Sequence, residues 1–165
     1  MSLARALRHL FSTPLRVRRR FPARALDAIE AAIRESERSH SGQIRFCVEH
    51  ALELPALLRG QSARERALEV FSQLRVWDTE ANNGVLIYLL LADRDVEIVA
   101  DRGIHRKAAE AWEPICRQIE AELRAGRFEA GALQAVRAVG AQLAVYFPPG
   151  AGAGAQEQPD RPVLL

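Results

Sequence analysis

Apolar and polar positions along the chain sort most of it into helices and strands, and the pattern centres on residues 82–105. An unbroken apolar run from Val85 to Leu91 carries Val, Ile and Tyr and is far too short to span a membrane. Such a run predicts a strand covered on both faces. Asp93-Arg94-Asp95 interrupts it with turn-forming carboxylates, and Val96 to Ala100 resumes as a second, antiparallel strand. Upstream, Gln43 to His50 alternates: Ile44, Phe46 and Val48 share one face, Arg45, Cys47 and Glu49 the other.

The helical segments emerge from three- and four-residue spacings. Pro22 suits the start of a helix to about Ser39, with Leu26, Ile29 and Ile33 in one stripe, before Ser39-His40-Ser41-Gly42 ends it. Pro55 and Gly60 punctuate a loop. Ser62 with Glu65 three residues on is a capping-box pattern, opening a helix to about Arg75 that presents Leu68, Phe71 and Leu74 inward. Strand, helix, strand in that order predicts a right-handed crossover and parallel first and second strands. Beyond the hairpin, Pro114 suits the first turn of a helix carrying Ile115, Ile119 and Leu123, stopped by Gly126. A last helix from Phe128 to Tyr146 buries Leu133, Val136, Val139 and Leu143, and Pro148-Pro149 ends it. The predicted fold class is α/β: a small mixed sheet, one parallel crossover plus a hairpin, flanked by about four helices.

The termini differ from this body. Met1 to Phe11 predicts a short amphipathic helix with Leu3, Leu7, Leu10 and Phe11 on one face and Arg5 and Arg8 off it. Pro14 and Pro22 break the next segment, and Arg18-Arg19-Arg20 reads as a solvated charge run. Residues 1–21 thus form a basic amphipathic arm, 22–148 the α/β domain, and 149–165 a Gly/Ala/Pro-rich tail expected to be disordered. One reading of the arm is contact with anionic lipid. The reading the sequence favours docks the arm's apolar residues on the domain's own surface.

Charge sharpens this division. Seven arginines and no carboxylate precede Asp27; removing those seven from the 23 basic residues leaves 16 against 21 acidic ones, an acidic body behind a basic arm. An acidic body with few aromatics argues against a nucleic-acid partner. Cys47 and Cys116 have no motif spacing and read as reduced core thiols. No apolar run reaches the roughly 18 residues of a membrane span, and no secretory leader pattern is evident. The expected location is cytoplasmic, peripheral to the inner membrane where the arm meets lipid.

The topology brings Ser41-Gly42, residues 77–83 and residues 101–105 to one end of the sheet, and Glu49, His50 and the Asp93-Arg94-Asp95 turn to the other. Asp78, Glu80 and Asp101 are therefore candidate ligands for a hard cation, calcium or magnesium, which takes oxygen donors from loops. Asn82, Asn83, Arg94 and His105 are further candidate loop residues. Against this stands the plainer reading that Asn82 and Asn83 cap turns while Asp101 pairs with Arg102 or Arg106. No EF-hand, zinc spacing, phosphate-cradling glycine loop or nucleophile elbow is present. No organic cofactor is expected.

Several of these residues also carry a family resemblance. Asn82-Asn83-Gly84-Val85-Leu86-Ile87, Asp93-Arg94, Val96-Glu97-Ile98 leading to Gly103-Ile104, Trp112, Gly126-Arg127-Phe128 and Phe147-Pro148 together resemble the TPM domain. The family takes its name from a thylakoid lumen phosphatase, a photosystem repair protein and a nematode receptor accessory protein. The resemblance covers about residues 22–148 and implies an α/β sandwich, with functions that differ between members. Plant members are associated with acid phosphatase activity, photosystem repair and calcium binding. Many bacterial members are envelope proteins with a transmembrane tail, and no such anchor is expected from the apolar runs of this sequence. Family members often have Gly-x-Gly where this chain has Asp101-Arg102-Gly103, which alters any ligand geometry there. The leading functional reading is a small bacterial TPM-like domain acting as a non-catalytic accessory or binding module, with a protein partner at a membrane and a divalent cation as candidate ligand. The alternative is a metal-assisted acid phosphatase acting on phosphate monoesters, with Asp78, Asp101 and the Asn82-Asn83 loop holding the ion.

Overall fold

The sheet forms where the apolar runs predict it. In the computed structural model, which describes residues 3–150 and 156–165, β1 (Gln43–Glu49) pairs in parallel with β2 (Gly84–Leu90), setting Ile44 beside Val85 and Phe46 beside Ile87. Met1 and Ser2 of the expected arm, and 151–155 of the expected tail, lie outside the described residues. β2 pairs antiparallel with β3 (Asp95–Ala100), and the strand order is β3-β2-β1-β4. Both faces of β1 and β2 are buried throughout. One face of the sheet (Ile44, Phe46, Val48, Val85, Ile87, Leu89, Val96, Ile98) packs in a core with α3 (Ala23–Ser36), α6 (Arg102–Arg124) and α7 (Phe128–Tyr146). The other (Cys47, Leu86, Tyr88, Leu90, Val99) packs on α4 (Leu54–Leu58) and α5 (Ala63–Gln73). The result is a mixed α/β sandwich with seven helices among the described residues, the first two being α1 (Leu3–Leu10) and α2 (Pro14–Arg20).

The differences from the sequence reading each have a local cause. Residues 156–165 are not a disordered tail: β4 (Val163–Leu164) adds in parallel to β1, covering an edge that would otherwise be open. Arg45 on β1 donates to the carbonyl of Pro159, and Gln43 Oε1 accepts the backbone N–H groups of Glu157 and Gln158, so polar side chains of β1 hold the segment. The helix placed after Pro114 begins twelve residues earlier, capped by Asp101, and leaves helical geometry at Ala108 with Pro114 inside it. α5 has the predicted capping box, but it turns Ala63, Ala67 and Val70 to the sheet and leaves Leu68 exposed. Small residues on that face let the helix lie close to the strands.

The N-terminal arm is corrected most. Arg18-Arg19-Arg20 belongs to α2, opened by Pro14, whose Val17 is buried together with Phe21 just beyond it. α1 docks through its polar side instead of its apolar one. Arg5 Nε donates to Asp93 Oδ2 at 2.9 Å and Arg8 Nη2 to Asp93 Oδ1 at 3.1 Å, while buried His9 accepts the Leu52 N–H on Nδ1 and sets Nε2 3.1 Å from Asp93. Burial opposes ionisation of Asp93, and the hydrogen bonds from Arg5, Arg8 and His9 overcome it, holding the carboxyl below its usual range.

Candidate functional site

The loops predicted to converge do so, and backbone hydrogen bonds hold them. Asn82, at φ 51°, turns the loop back on itself, and its carbonyl takes the Gly103 N–H at 3.0 Å. A Cβ on Gly103 would lie 2.5 Å from that oxygen, so glycine is required for the loop to touch the start of α6. Buried Asn83 is fixed at both ends: its N–H donates to Thr79 Oγ1 at 3.1 Å and its Nδ2 to Ser41 O at 3.0 Å. Asp101 caps α6, Oδ1 accepting the Arg102 N–H at 2.6 Å, and it engages neither guanidinium of Arg102 and Arg106.

Two buried oxygens at this end have no hydrogen-bond partner, Asn83 Oδ1 and Asp101 Oδ2. Each is an acceptor whose desolvation is uncompensated among the described residues. Their chain neighbours Asn82 and Arg102 line a cleft of about 510 Å³ with Gly103, Arg106, Lys107 and Phe147, and Lys107 Nζ lies 4.7 Å from the Phe147 ring. The first turn of α6, six residues before the break at Ala108, turns its N-terminal N–H groups toward this end.

The expected carboxylate triad does not assemble. Asp101 turns inward as the helix cap, whereas Asp78 and Glu80 stay on the solvent side of the loop, and the Glu80 N–H donates to Glu157 Oε2 at 2.8 Å. Among the described residues no three His, Cys, Asp or Glu side chains group so as to hold a metal. Arg94 lies at the far end of the sheet, in the left-handed region at φ 54°. Asn83 and Asp101 are thus the two predicted residues that bring unpartnered oxygens to the loop end.

His105 faces elsewhere. It lines a cleft of about 380 Å³ between the free edge of β3 and α6, with Arg64, Asp95, Glu97, Trp112, Cys116 and Glu120. Burial, then repulsion from neighbouring carboxylates including Glu120, raises the Asp95 carboxyl; burial, with Asp95 and Glu120, also raises Glu97 against the pull of Arg64 3.3 Å away. Burial pushes the Cys116 thiol up to about 12 and the buried Cys47 thiol likewise, so neither is poised as a nucleophile. Sequence reasoning missed this cleft because it began the helix at Pro114. The stripe His105, Ala109, Trp112, Cys116, Glu120, at spacings of four and three, was the available signal.

A serine–histidine contact also escaped the sequence reading. Ser36 Oγ lies 3.0 Å from His40 Nε2, and His40 Nδ1 lies 3.0 Å from the Gly42 carbonyl, to which it must donate. Burial lowers the His40 pKa, keeping the ring neutral. The tautomer matches that of a hydrolase dyad, yet a Cβ on Gly140 of α7 would sit 2.0 Å from Ser36 Oγ. Backbone covers the hydroxyl that closely, and the pair ties the end of α3 to β1.

The comparisons with known proteins agree with this architecture. A family model described as the TPM domain matches residues 21–142. Among solved structures, the NMR structure of the BA42 protein from the psychrophilic bacterium Bizionia argentinensis is similar at a TM-score of 0.74 and 30% identity, covering 87% of this chain and 94% of that one. No functionally curated protein matches the chain.

Proposed function

From the premise that the chain belongs to the TPM domain family, we propose that it is a non-catalytic accessory or binding module whose ligand end is the junction of the Asn82-Asn83 loop with α6. The observation that carries this reading is the pair of buried, unpartnered oxygens, Asn83 Oδ1 and Asp101 Oδ2. Calcium or magnesium is the fitting ligand class, since a hard cation satisfies oxygen acceptors directly. With few protein donors at hand, such an ion would keep several waters, as magnesium characteristically does. The accessory role is to carry this end to a protein partner at a membrane. Among the described residues no helix is long and apolar enough to cross a membrane itself.

One observation favours the phosphatase as a second reading. Arg102, Arg106 and Lys107 line the cleft at the start of α6, and three cations suit phosphoryl oxygens. The ion, when bound, would supply the Lewis acidity; the arginines and the lysine would orient the ester and offset its charge.

Backbone amide shifts titrated with calcium or magnesium chloride test both readings. The expected result is movement at Asn83, Asp101 and Gly103, abolished in Asp101→Asn and retained in Asp93→Asn. Asn still caps a helix well, so the variant keeps its fold. Ion binding without turnover of an aryl phosphate supports the module; turnover lost in Asp101→Asn supports the phosphatase. No shift at millimolar ion and no turnover defeats both.

A further inference from the structure

The polar face of α1 is turned into the protein, and its apolar face is turned out. Leu3 is 77% exposed, Leu10 61%, Phe11 66% and, at the start of α2, Leu15 59%. The inversion has a definite cause: Asp93, in the turn between β2 and β3, gathers Arg5, Arg8 and His9 and so fixes the rotation of the helix. Arg5 Nη2 also donates to Gln61 O and Arg8 Nε to Ala92 O, so both arginines are committed inward.

Next to this ridge lies a cluster of like charges. Arg16, Arg18 and Arg19 of α2 are exposed, and so is Arg94 in the turn. Arg94 and Arg16 sit near enough to Arg20 to join its burial in lowering its pKa, while Arg20 itself stacks over Phe128 at 4.5 Å. Among the described residues no carboxylate pairs with Arg16, Arg18, Arg19 or Arg94, and residues 3–20 contain no carboxylate. The chain therefore presents bulky apolar side chains bordered by cations that form no ion pair among the described residues, Glu129 being the one carboxylate that shares a cavity with Arg19.

We propose that α1 and α2 form a docking surface for an anionic lipid bilayer. The charge complementarity is what selects this occupant: phospholipid phosphates supply ion-pair partners for the arginines, and the acyl boundary takes Leu3, Leu7, Leu10, Phe11 and Leu15. A second copy of the chain would bring the same arginines face to face. The surface is formed by the folded domain, since Asp93 sets the outward face before any membrane is met.

Co-sedimentation of the full chain with vesicles tests this. Equimolar phosphatidylcholine and phosphatidylglycerol vesicles should bind the chain, added salt should weaken the binding, and phosphatidylcholine alone should bind far less. Each basic side chain near an anionic surface changes partitioning about fivefold, so Arg16→Gln with Arg19→Gln should reduce it about 25-fold. Leu10→Gln with Phe11→Gln should reduce it about tenfold or more. Val145→Gln, at an apolar residue of α7 that is 70% exposed, should leave it unchanged. All these side chains are exposed, so thermal melting should stay as in the parent. The proposal is overturned if the chain ignores anionic vesicles, or binds both vesicle types equally. Concentration-dependent dimers lost in the Leu10/Phe11 variant, without vesicle binding, would also overturn it and identify the ridge as an interface between copies.

Discussion

Replacing Arg66 by Met probes a carboxylate buried in the sheet core. Glu49, on β1, lies on the face that packs against α5, with its side chain 6% exposed. Arg66 grips it from α5 through Nε to Oε2 at 2.9 Å and Nη2 to Oε1 at 3.0 Å, and Tyr88 on β2 donates its hydroxyl to Oε2 at 2.6 Å. Burial, reinforced by the Glu49 charge, raises the Tyr88 phenol, so it remains a donor. Without Arg66 the carboxylate keeps one neutral donor in apolar surroundings. Removing one partner of a buried pair costs about 3–5 kcal/mol. Arg66 retains some solvent contact, which places the expected loss at the lower end, about 3 kcal/mol. Adding Glu49→Gln to Arg66→Met removes the stranded charge while leaving Tyr88 an acceptor, and should restore at least about 1 kcal/mol. Urea unfolding monitored by circular dichroism measures both, with an unchanged slope as the check that the transition is the same. A loss below about 1 kcal/mol for Arg66→Met would mean the pair behaves like a solvent-screened surface bridge, and the burial argument would fail.

Two further outcomes rest on buried positions. Burial, with the nearby charge of Asp160, lifts the Glu37 carboxyl to about 7 although it accepts the Ile44 N–H. The folded state then holds the proton more tightly than the unfolded one, so stability is greatest below the ordinary carboxylate pKa and falls as pH rises through about 7. Glu37→Gln should flatten this slope and gain about 3 kcal/mol at alkaline pH, read by urea unfolding; a slope equal to the parent's would refute it. Ile87→Ala, in the middle of a strand with no exposure, should cost about 2–5 kcal/mol in the same assay, and a loss under about 1 kcal/mol would contradict the doubly covered sheet.

The central strands were legible because burial leaves a plain mark: Val85 to Leu91 is apolar without a break, and Gln43 to His50 alternates. Ser62 and Glu65 announced α5 through local chemistry that no tertiary contact needed to supply. Elsewhere the deciding interaction was distant in sequence. The short Pro162-Val163-Leu164 stretch carries no strand signal of its own, since its partner edge lies at Cys47 and Val48. The orientation of α1 depended on Asp93, and amphipathicity alone pointed its leucines the wrong way. At the candidate site, topology correctly brought the Asn82-Asn83 loop to Asp101, because strand directions determine which loops meet. The choice among carboxylates was not legible: Asp101 turns inward because α6 starts one residue later, and that start was hidden by treating Pro114 as the first turn.

The two proposed surfaces sit at opposite ends of the sheet, and this bears on how they would work together. The Asn83–Asp101 end adjoins Gly84, where β2 begins, whereas the ridge is tied to Asp93, just beyond Leu90, where β2 ends. At about 3.3 Å per residue, β2 separates them by roughly 20 Å. A chain lying on a bilayer through α1 and α2 would therefore hold its ligand end away from the lipid, toward the aqueous portion of a protein partner at that membrane. Headgroup phosphates would not reach Arg102, Arg106 and Lys107 from that pose. The two activities should then be separable: Asp101→Asn should leave vesicle binding intact, and Leu10→Gln with Phe11→Gln should leave the ion titration intact. A variant at either end that altered both readouts would place lipid and ion at one site and remove the basis for a two-ended module.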